Sequence, residues 1–276
     1  MKRMRHRILV FTDLDGTLLD FLTYSFEPAR PVLIRLRESG IPVIICTSKT
    51  RAEVEGIREA LGNTDPFVIE NGAAVFIPRG YFSIEIPAAR RDPGYVIIEL
   101  GTPYSRILSI FSRIKDALPG RLRGFSDLSV EEVARLTGLS DEEAARAKKR
   151  EYDEPFLLDD PAANLEAVKK IAGSAGLSIT RGRFFHLTGD NDKGRAVNLL
   201  KDIYARTLGN APRTIGLGDS PNDLPLLENV DLPVLVQKPG GRYEPSIRLD
   251  NLILAPGEGP VGWSLAVREL VDRLSG

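Results

Sequence analysis

The sequence predicts an α/β protein: a doubly wound parallel sheet with a second, smaller α/β domain inserted into it. Three observations carry that prediction. Short apolar runs at 8–11, 41–46 and 214–217 each stop at acidic or hydroxyl residues, as strands buried on both faces do. The first two runs are separated by one helical period, which makes a strand–helix–strand unit and therefore a parallel pair. Between residues 82 and 185 the texture changes, and two helix starts follow each other closely.

In chain order, 8–11 (ILVF) reads as the first strand, ending at Thr12 and Asp13. Residues 27–38 place Val32, Leu33 and Leu36 at helical spacing before a stop at Gly40. Residues 41–46 (IPVIIC) form the second strand, 51–61 the next helix and 67–69 a third short strand. In the middle of the chain, 94–100 reads as a strand and 105–118 as a helix with Ile107, Ile110, Phe111 and Ile114 on one face. Ser129 with Glu132, and Ser140 with Glu143, have the form of capping boxes. The charged stretch 141–154 reads mainly as the wet face of a helix, Asp160-Pro161 opens a further helix, and 178–187 reads as a hairpin. The parallel pattern then resumes with a strand at 214–217, a helix through 224–227 and strands at 230–236 and 252–254. The expected division is a core of 1–81 plus 186–276 and an inserted domain of 82–185.

Composition narrows the function. The 276 residues carry 37 Lys and Arg against 38 Asp and Glu, a balance that offers no surplus of cations for nucleic acid or anionic lipid. The single Cys46 excludes an internal disulfide and a multi-cysteine zinc site, fits a reducing cytosol, and reads as packing in a buried strand. No apolar run reaches the roughly 18 residues that span a bilayer, and the basic stretch 1–7 leads straight into a strand rather than into a secretory leader. The expectation is a soluble cytoplasmic protein that binds neither nucleic acid nor membrane; the oligomeric state stays open.

In an open parallel sheet, ligands bind beyond the carboxyl ends of the strands. Those ends carry Asp13 and Asp15, Thr47 and Ser48, and Asp219 with Asp223. A pair of carboxylates about 4 Å apart repels by about 4 kcal/mol at an effective dielectric near 20, so a cation has to sit among them. Oxygen ligands without His or Cys select a hard cation, and Mg2+ is the usual one where phosphate is the partner. In 11–19 (FTDLDGTLL), alternation sends Asp13 and Asp15 to one side as the chain leaves the strand, and Gly16-Thr17 permits the sharp turn. One carboxylate can attack phosphorus and the other can move the proton. The plain alternative is a surface turn rich in Asp.

These residues resemble the haloacid dehalogenase-like phosphatases, whose signature is DxDGT followed by three weaker motifs. The resemblance implies Asp13 as nucleophile, Asp15 as general acid and base, Thr47 as the phosphoryl-binding hydroxyl and Lys193 as the neutralising cation. It also implies Mg2+ held by Asp13, the backbone carbonyl of Asp15, Asp219, Asn222 and Asp223. An Asp at position 15 matches phosphatases and phosphomutases rather than the family's ATPases. The inserted segment resembles the α/β caps that close over small organic phosphates. Within the family, 47–51 (TSKTR), 70–73 (ENGA), 136–140 (LTGLS), 150–156 (REYDEPF) and 182–189 (GRFFHLTG) resemble the branch that dephosphorylates mannosyl-3-phosphoglycerate.

Such a substrate, a sugar phosphate with a carboxylate and several hydroxyls, needs cationic donors and paired acceptors. Ser48, Lys49, Arg183 and His186 are candidates near the charged end, and Asn71, Glu151 and Glu154 near the hydroxyls. Lys49 and Arg183 read equally as solvated residues, and His186 as a satisfied structural one. The rivals are a glucosyl analogue or another sugar phosphate, a phosphomannomutase, and a non-catalytic binding module. Trp263, just ahead of the last helix, either packs that helix or lies near the cap.

Overall fold

The computed structural model describes residues 8–86 and 89–275. The basic stretch 1–7 lies outside the described residues, so its reading is not addressed by the structure.

The elements in chain order are β1 (Ile8–Thr12), α1 (Arg30–Ser39), β2 (Val43–Cys46), α2 (Arg51–Leu61), β3 (Phe67–Ile69), β4 (Ala74–Pro78), β5 (Arg90–Arg91) and β6 (Tyr95–Glu99). There follow α3 (Tyr104–Ala117), β7 (Leu122–Gly124), α4 (Val130–Thr137), α5 (Asp141–Ala147), β8 (Asp153–Leu158), α6 (Pro161–Ser174), β9 (Ser178–Arg181) and β10 (Phe185–Thr188). The chain ends with α7 (Lys193–Leu208), β11 (Arg213–Gly218), α8 (Leu224–Glu228), β12 (Leu232–Gln237), β13 (Ile253–Glu258) and α9 (Gly259–Ser275).

Among the described residues the strands form two sheets. The larger runs β13-β12-β11-β1-β2-β3-β4-β6-β5. From β13 to β3 every pairing is parallel, with β11 and β2 flanking β1 at the centre. Strand period two sorts the β1 side chains: Ile8 and Val10 pack with α1, α2 and α9 on one face, and Leu9 and Phe11 with α7 and α8 on the other. Burial on both faces is why these strands read as unbroken apolar runs.

The smaller sheet, β7-β8-β10-β9, is antiparallel throughout. Its Phe156, Phe185 and Leu187 pack under α3 and α6. Period two then turns Asp153 and His186 to the opposite face, toward the large sheet. The short pair α4 and α5 begins at the two capping boxes expected at Ser129 and Ser140.

Two features differ from the sequence reading. First, β5 and β6, assigned above to the inserted segment, extend the large sheet, β6 antiparallel to β4 and β5 antiparallel to β6. Tyr95 stands edge-on to Phe67 and Phe76, so this strand completes the aromatic packing over β3 and β4. Second, α5 ends at Ala147, and Asp153 and Glu154 belong to a buried strand rather than to a wet helix face. Pro155 lacks the N–H and the conformational freedom to continue a helix there.

The chain crosses between the sheets twice, at Gly101 and Gly189. A Cβ at either glycine would press on the side chain of Asn191. Gly72 makes a closer approach still. It has φ +92, and a Cβ there would overlap the Asp192 carbonyl at the start of α7. We expect Gly72→Ala to lose about 3 kcal/mol of stability, from left-handed strain plus overpacking. Urea denaturation reads this as a lowered midpoint at unchanged slope; a midpoint equal to wild type would contradict it.

Candidate active site

The carboxyl ends of β1, β2 and β11 meet the start of α7 at one point. Lys193, capped into the first turn of α7 by Asp192, is buried there and its side chain is fully sealed. Its Nζ donates to Asp13 Oδ1 at 2.7 Å and to Asp223 Oδ1 at 2.6 Å. Carboxylate oxygens of Asp13, Asp219 and Asp223 all lie within 4.8 Å of one another. Three carboxylates against one ammonium leave two negative charges uncompensated in a buried site.

That imbalance appears in the acidities. Burial first, then the charge of Asp223, pushes the Asp13 carboxyl well above its usual range, against the pull of Lys193. The same two causes raise Asp219 to about 7. Burial alone would depress the Lys193 ammonium, but Asp13 and Asp223 outweigh it and hold it protonated.

Glycines let the backbone close around this cluster. Gly16 has φ +76, and a Cβ there would stand 3.0 Å from Asp219 Oδ2. Asp223 Oδ2 accepts the backbone N–H groups of Asp219 and Ser220, so the loop after β11 folds around its own carboxylate. Behind β1, the fully buried Trp263 donates from Nε1 to Thr12 Oγ1 at 3.0 Å, and Thr12 donates to the Asp13 carbonyl at 2.7 Å. The indole thus packs α9 onto the strand that carries Asp13, which decides a role the sequence left open.

Asp15 points the other way. Its Oδ2 is paired with Lys49 Nζ at 3.0 Å, and Lys49 also reaches Glu53 at 3.7 Å and lies over the Tyr24 ring. Thr47 is buried at the exit of β2, its hydroxyl accepting the Lys49 N–H. Ser48 gives its carbonyl to Arg150. Asn222 donates to Asn71 Oδ1 at 3.2 Å, and Asn71 Nδ2 faces Asp153 Oδ2 at 3.5 Å across the gap between the sheets.

The remaining cap candidates divide. His186 is on the core-facing side, with Nδ1 2.9 Å from Asp153 Oδ2. Glu154 is not: its carboxylate accepts from Tyr104 and from the N–H and hydroxyl of Ser126 on the helix-facing side. The residue that reaches toward the site is its neighbour Asp153, because strand alternation gives the two carboxylates to opposite faces. Arg183 is at the exposed rim, donating to the carbonyls of Leu136 and Thr137. Glu151 is half-buried, and its N–H donates to Glu70.

Three further residues escaped the sequence reading as site components. The sealed Glu70 accepts the N–H groups of Glu151 and Tyr152, at 3.0 and 2.8 Å. Burial raises its carboxyl to about 8, against the pull of Arg150. Lys238, at the end of β12, lies close enough to Asp219 to oppose its upward shift. Arg150 is wrapped between core and cap, and its charge is retained by Asp153, Glu53 and Glu70 despite burial. Glu70 and Arg150 stand in the segments 70–73 and 150–156 that carry the resemblance, but only position in the fold reveals what they touch, and Lys238 stands in no distinctive pattern.

The donor set around Asp13, Asp219 and Asp223 is all oxygen and carries excess negative charge, which fits a hard divalent cation such as Mg2+.

Comparison with known proteins agrees with this geometry. Residues 10–86 match the haloacid dehalogenase-like hydrolase family. The glucosyl-3-phosphoglycerate/mannosyl-3-phosphoglycerate phosphatase of Methanococcoides burtonii is 47% identical over 271 residues, 98% of each chain. The protein of the same name from Persephonella marina is 42% identical over 97% of this chain and 98% of its own. Among solved structures, a haloalkanoate-superfamily phosphatase of Bacteroides thetaiotaomicron has a TM-score of 0.66 at 19% identity, covering 100% of this chain and 97% of its own. The sucrose-phosphatase of Synechocystis has 0.63 at 14%, covering 98% of both chains. Those two likenesses establish the fold, and the two sequence relatives establish the lineage: the chain belongs to the haloacid dehalogenase-like hydrolases, among their phosphatases.

Proposed function

We propose that this protein is a Mg2+-dependent phosphomonoesterase that hydrolyses mannosyl-3-phosphoglycerate, and its glucosyl analogue, to the glycosylglycerate and phosphate. The observation that carries the chemistry is Lys193 seated between Asp13 and Asp223. The substrate rests on the two relatives of that name, similar to this chain over almost its whole length.

In this reading Asp13 is the nucleophile. One of its oxygens bonds to phosphorus as the ester C–O–P bond breaks on the phosphorus side, giving an aspartyl-phosphate. The departing alkoxide takes a proton from Asp15. Asp15 then takes one from water, whose oxygen attacks phosphorus and returns Asp13 as a carboxylate. Lys193 pulls Asp13 toward its ionised form and aims it, and Thr47 donates to a phosphoryl oxygen. Asp13, Asp219, Asp223, Asn222 and the Asp15 carbonyl would hold Mg2+. When bound, the ion supplies positive charge that offsets the phosphoryl oxygens and the carboxylate cluster. Lys49 steadies Asp15, and with Arg183 and Ser48 it forms the side of the site suited to the glycerate carboxylate. The small sheet with its helices serves as the cap, and we place the division from the core at the two crossovers, 100–102 and 189–191.

The test is a phosphate-release panel of mannosyl- and glucosyl-3-phosphoglycerate, hexose phosphates and p-nitrophenyl phosphate, with Mg2+ and with chelator. The two glycosyl phosphoglycerates should be preferred, and equal turnover across the panel would remove the substrate assignment. A phosphomannomutase would instead yield isomerised sugar phosphate. Asp13→Asn should lower phosphate release by at least about 1,000-fold and abolish acid-stable trapping of labelled phosphate on the chain. Retained trapping would place the nucleophile elsewhere.

The raised carboxyls fix a pH dependence. Between about pH 4 and about 7 the folded, metal-free chain binds more protons at Asp13 and Asp219 than the unfolded chain does, so these groups lower its stability as pH rises. A bound cation removes that loss and competes with those protons. Saturating Mg2+ should therefore raise Tm by roughly 5 °C at about pH 8 and by clearly less at about pH 6. A shift of equal size at both, read by scanning calorimetry against chelator, would contradict the assignment.

A further inference from the structure

The face of the small sheet that looks toward the core carries a polar cluster that the phosphoryl chemistry does not use. His186 on β10 is paired cross-strand with Thr180 on β9 and with Pro155 on β8, and Asp153 lies two residues before Pro155 on the same face. The Asp153 side chain is fully buried, and both its oxygens lie 2.9–3.0 Å from His186 Nδ1. β9 rests against the Pro221–Asp223 turn of the carboxylate loop, so this face adjoins that loop. The Thr180 hydroxyl is sealed from solvent and has no hydrogen-bond partner among the described residues. An unpaired hydroxyl under cover costs the fold stability unless a ligand satisfies it.

A carboxylate accepts only, so the imidazole hydrogen must be on Nδ1, donated to Asp153. In a neutral imidazole Nε2 is then the acceptor, and it makes no hydrogen bond among the described residues. With a neutral imidazole the Asp153–His186 pair carries one negative charge, and Arg150 is the cation that faces it. Lys49, paired with Asp15 and Glu53, and Arg183, which donates to the Leu136 and Thr137 carbonyls, lie on the other side, around Tyr24.

We infer that Asp153 is a positioning residue that fixes the His186 tautomer, so that Nε2 accepts and Thr180 donates hydrogen bonds to hydroxyls of the sugar in the leaving group. This deepens the reading given above and rests on it for the sugar. The ester then lies in one direction only, its sugar against β9 and β10 and its glycerate carboxylate toward Lys49. The pair reads hydroxyls in the half of the substrate remote from phosphorus, and it takes no part in breaking the ester.

Two measurements test this, and they fail separately from the substrate assignment. The chain has two histidines, His6 and His186, so an imidazole nitrogen-15 spectrum at about pH 7.5, with His6→Gln to assign the signals, reads the tautomer without any substrate. The Nδ1–H form is expected, and Asp153→Asn should shift it toward the other tautomer. An Nε2–H form or an imidazolium in the wild type would overturn the inference. The second readout is selectivity, kcat/KM for the best glycosylated ester divided by that for p-nitrophenyl phosphate, which has no sugar. His186→Phe should lower this ratio about 10-fold or more and Thr180→Val about 5-fold, with the loss mainly in KM. A ratio equal to wild type in either variant, or a fall in both rates together, would overturn it. A wild type that turns over hexose phosphates instead would sink the substrate assignment alone, because the ratio is then read on those esters.

Discussion

The site depends on one electrostatic constraint: a single ammonium, Lys193, buried between two carboxylates. A charged lysine sealed from solvent is tolerated only when its charge is met at close range, and here two oxygens meet it within 2.7 Å. That requirement ties together three places distant in sequence. Asp13 comes from the exit of β1, Asp223 from the loop after β11, and Lys193 from the start of α7. The parallel order β11-β1-β2 brings the first two side by side. Gly72 lets the end of β3 come against the Asp192 backbone and so sets where α7 begins. The one ammonium does not match the charge of the three carboxylates, so the cluster keeps an excess of negative charge.

Beside the buried Tyr152, which packs into the core of the large sheet, the cap segment is attached to this centre through polar contacts. Glu70 accepts two backbone N–H groups where the chain enters β8. Arg150 donates to the Ser48 carbonyl and Thr50 to the Arg146 carbonyl, at 2.8 and 3.0 Å. Asn191 donates to the carbonyls of Glu70 and Asn71 between the two crossovers. Such contacts can be exchanged for water one at a time, whereas an apolar interface of equal size would resist opening. A phosphatase that must admit substrate and then exclude water is served by an interface of that kind.

What the sequence revealed, and what it hid, follows from burial. Strands covered on both faces leave unbroken apolar runs, so β1, β2, β3 and β11 were readable, and the carboxylates at their exits located the site before any coordinates. β4 was passed over although 74–77 is itself a buried apolar run, and β6 was read as a strand but assigned to the inserted segment; Tyr95 betrays its place only through its contacts with Phe67 and Phe76. The choice between Asp153 and Glu154 failed for a related reason. Adjacent carboxylates in a strand face opposite ways, and Pro155 rigidifies both equally, so nothing local tells which face is wet. Only the partners decide: Tyr104 and Ser126 for one, His186 and Asn71 for the other.

The end of β3 shows why strain is retained in this fold. Glu70 and Asn71 both have positive φ, 45° and 56°, where a non-glycine residue is held at a cost of roughly 1–3 kcal/mol. An extended chain would avoid that cost but would alternate the two side chains across the sheet. The left-handed pair instead turns Glu70 to the cap backbone while Asn71 reaches Asn222 on one side and Asp153 on the other. Two consecutive residues thereby touch the carboxylate loop, the cap and, through Asp153, His186. A single amide side chain thus joins Asn222 to Asp153, and a relaxed backbone at this point would break that connection while leaving each half of the site intact.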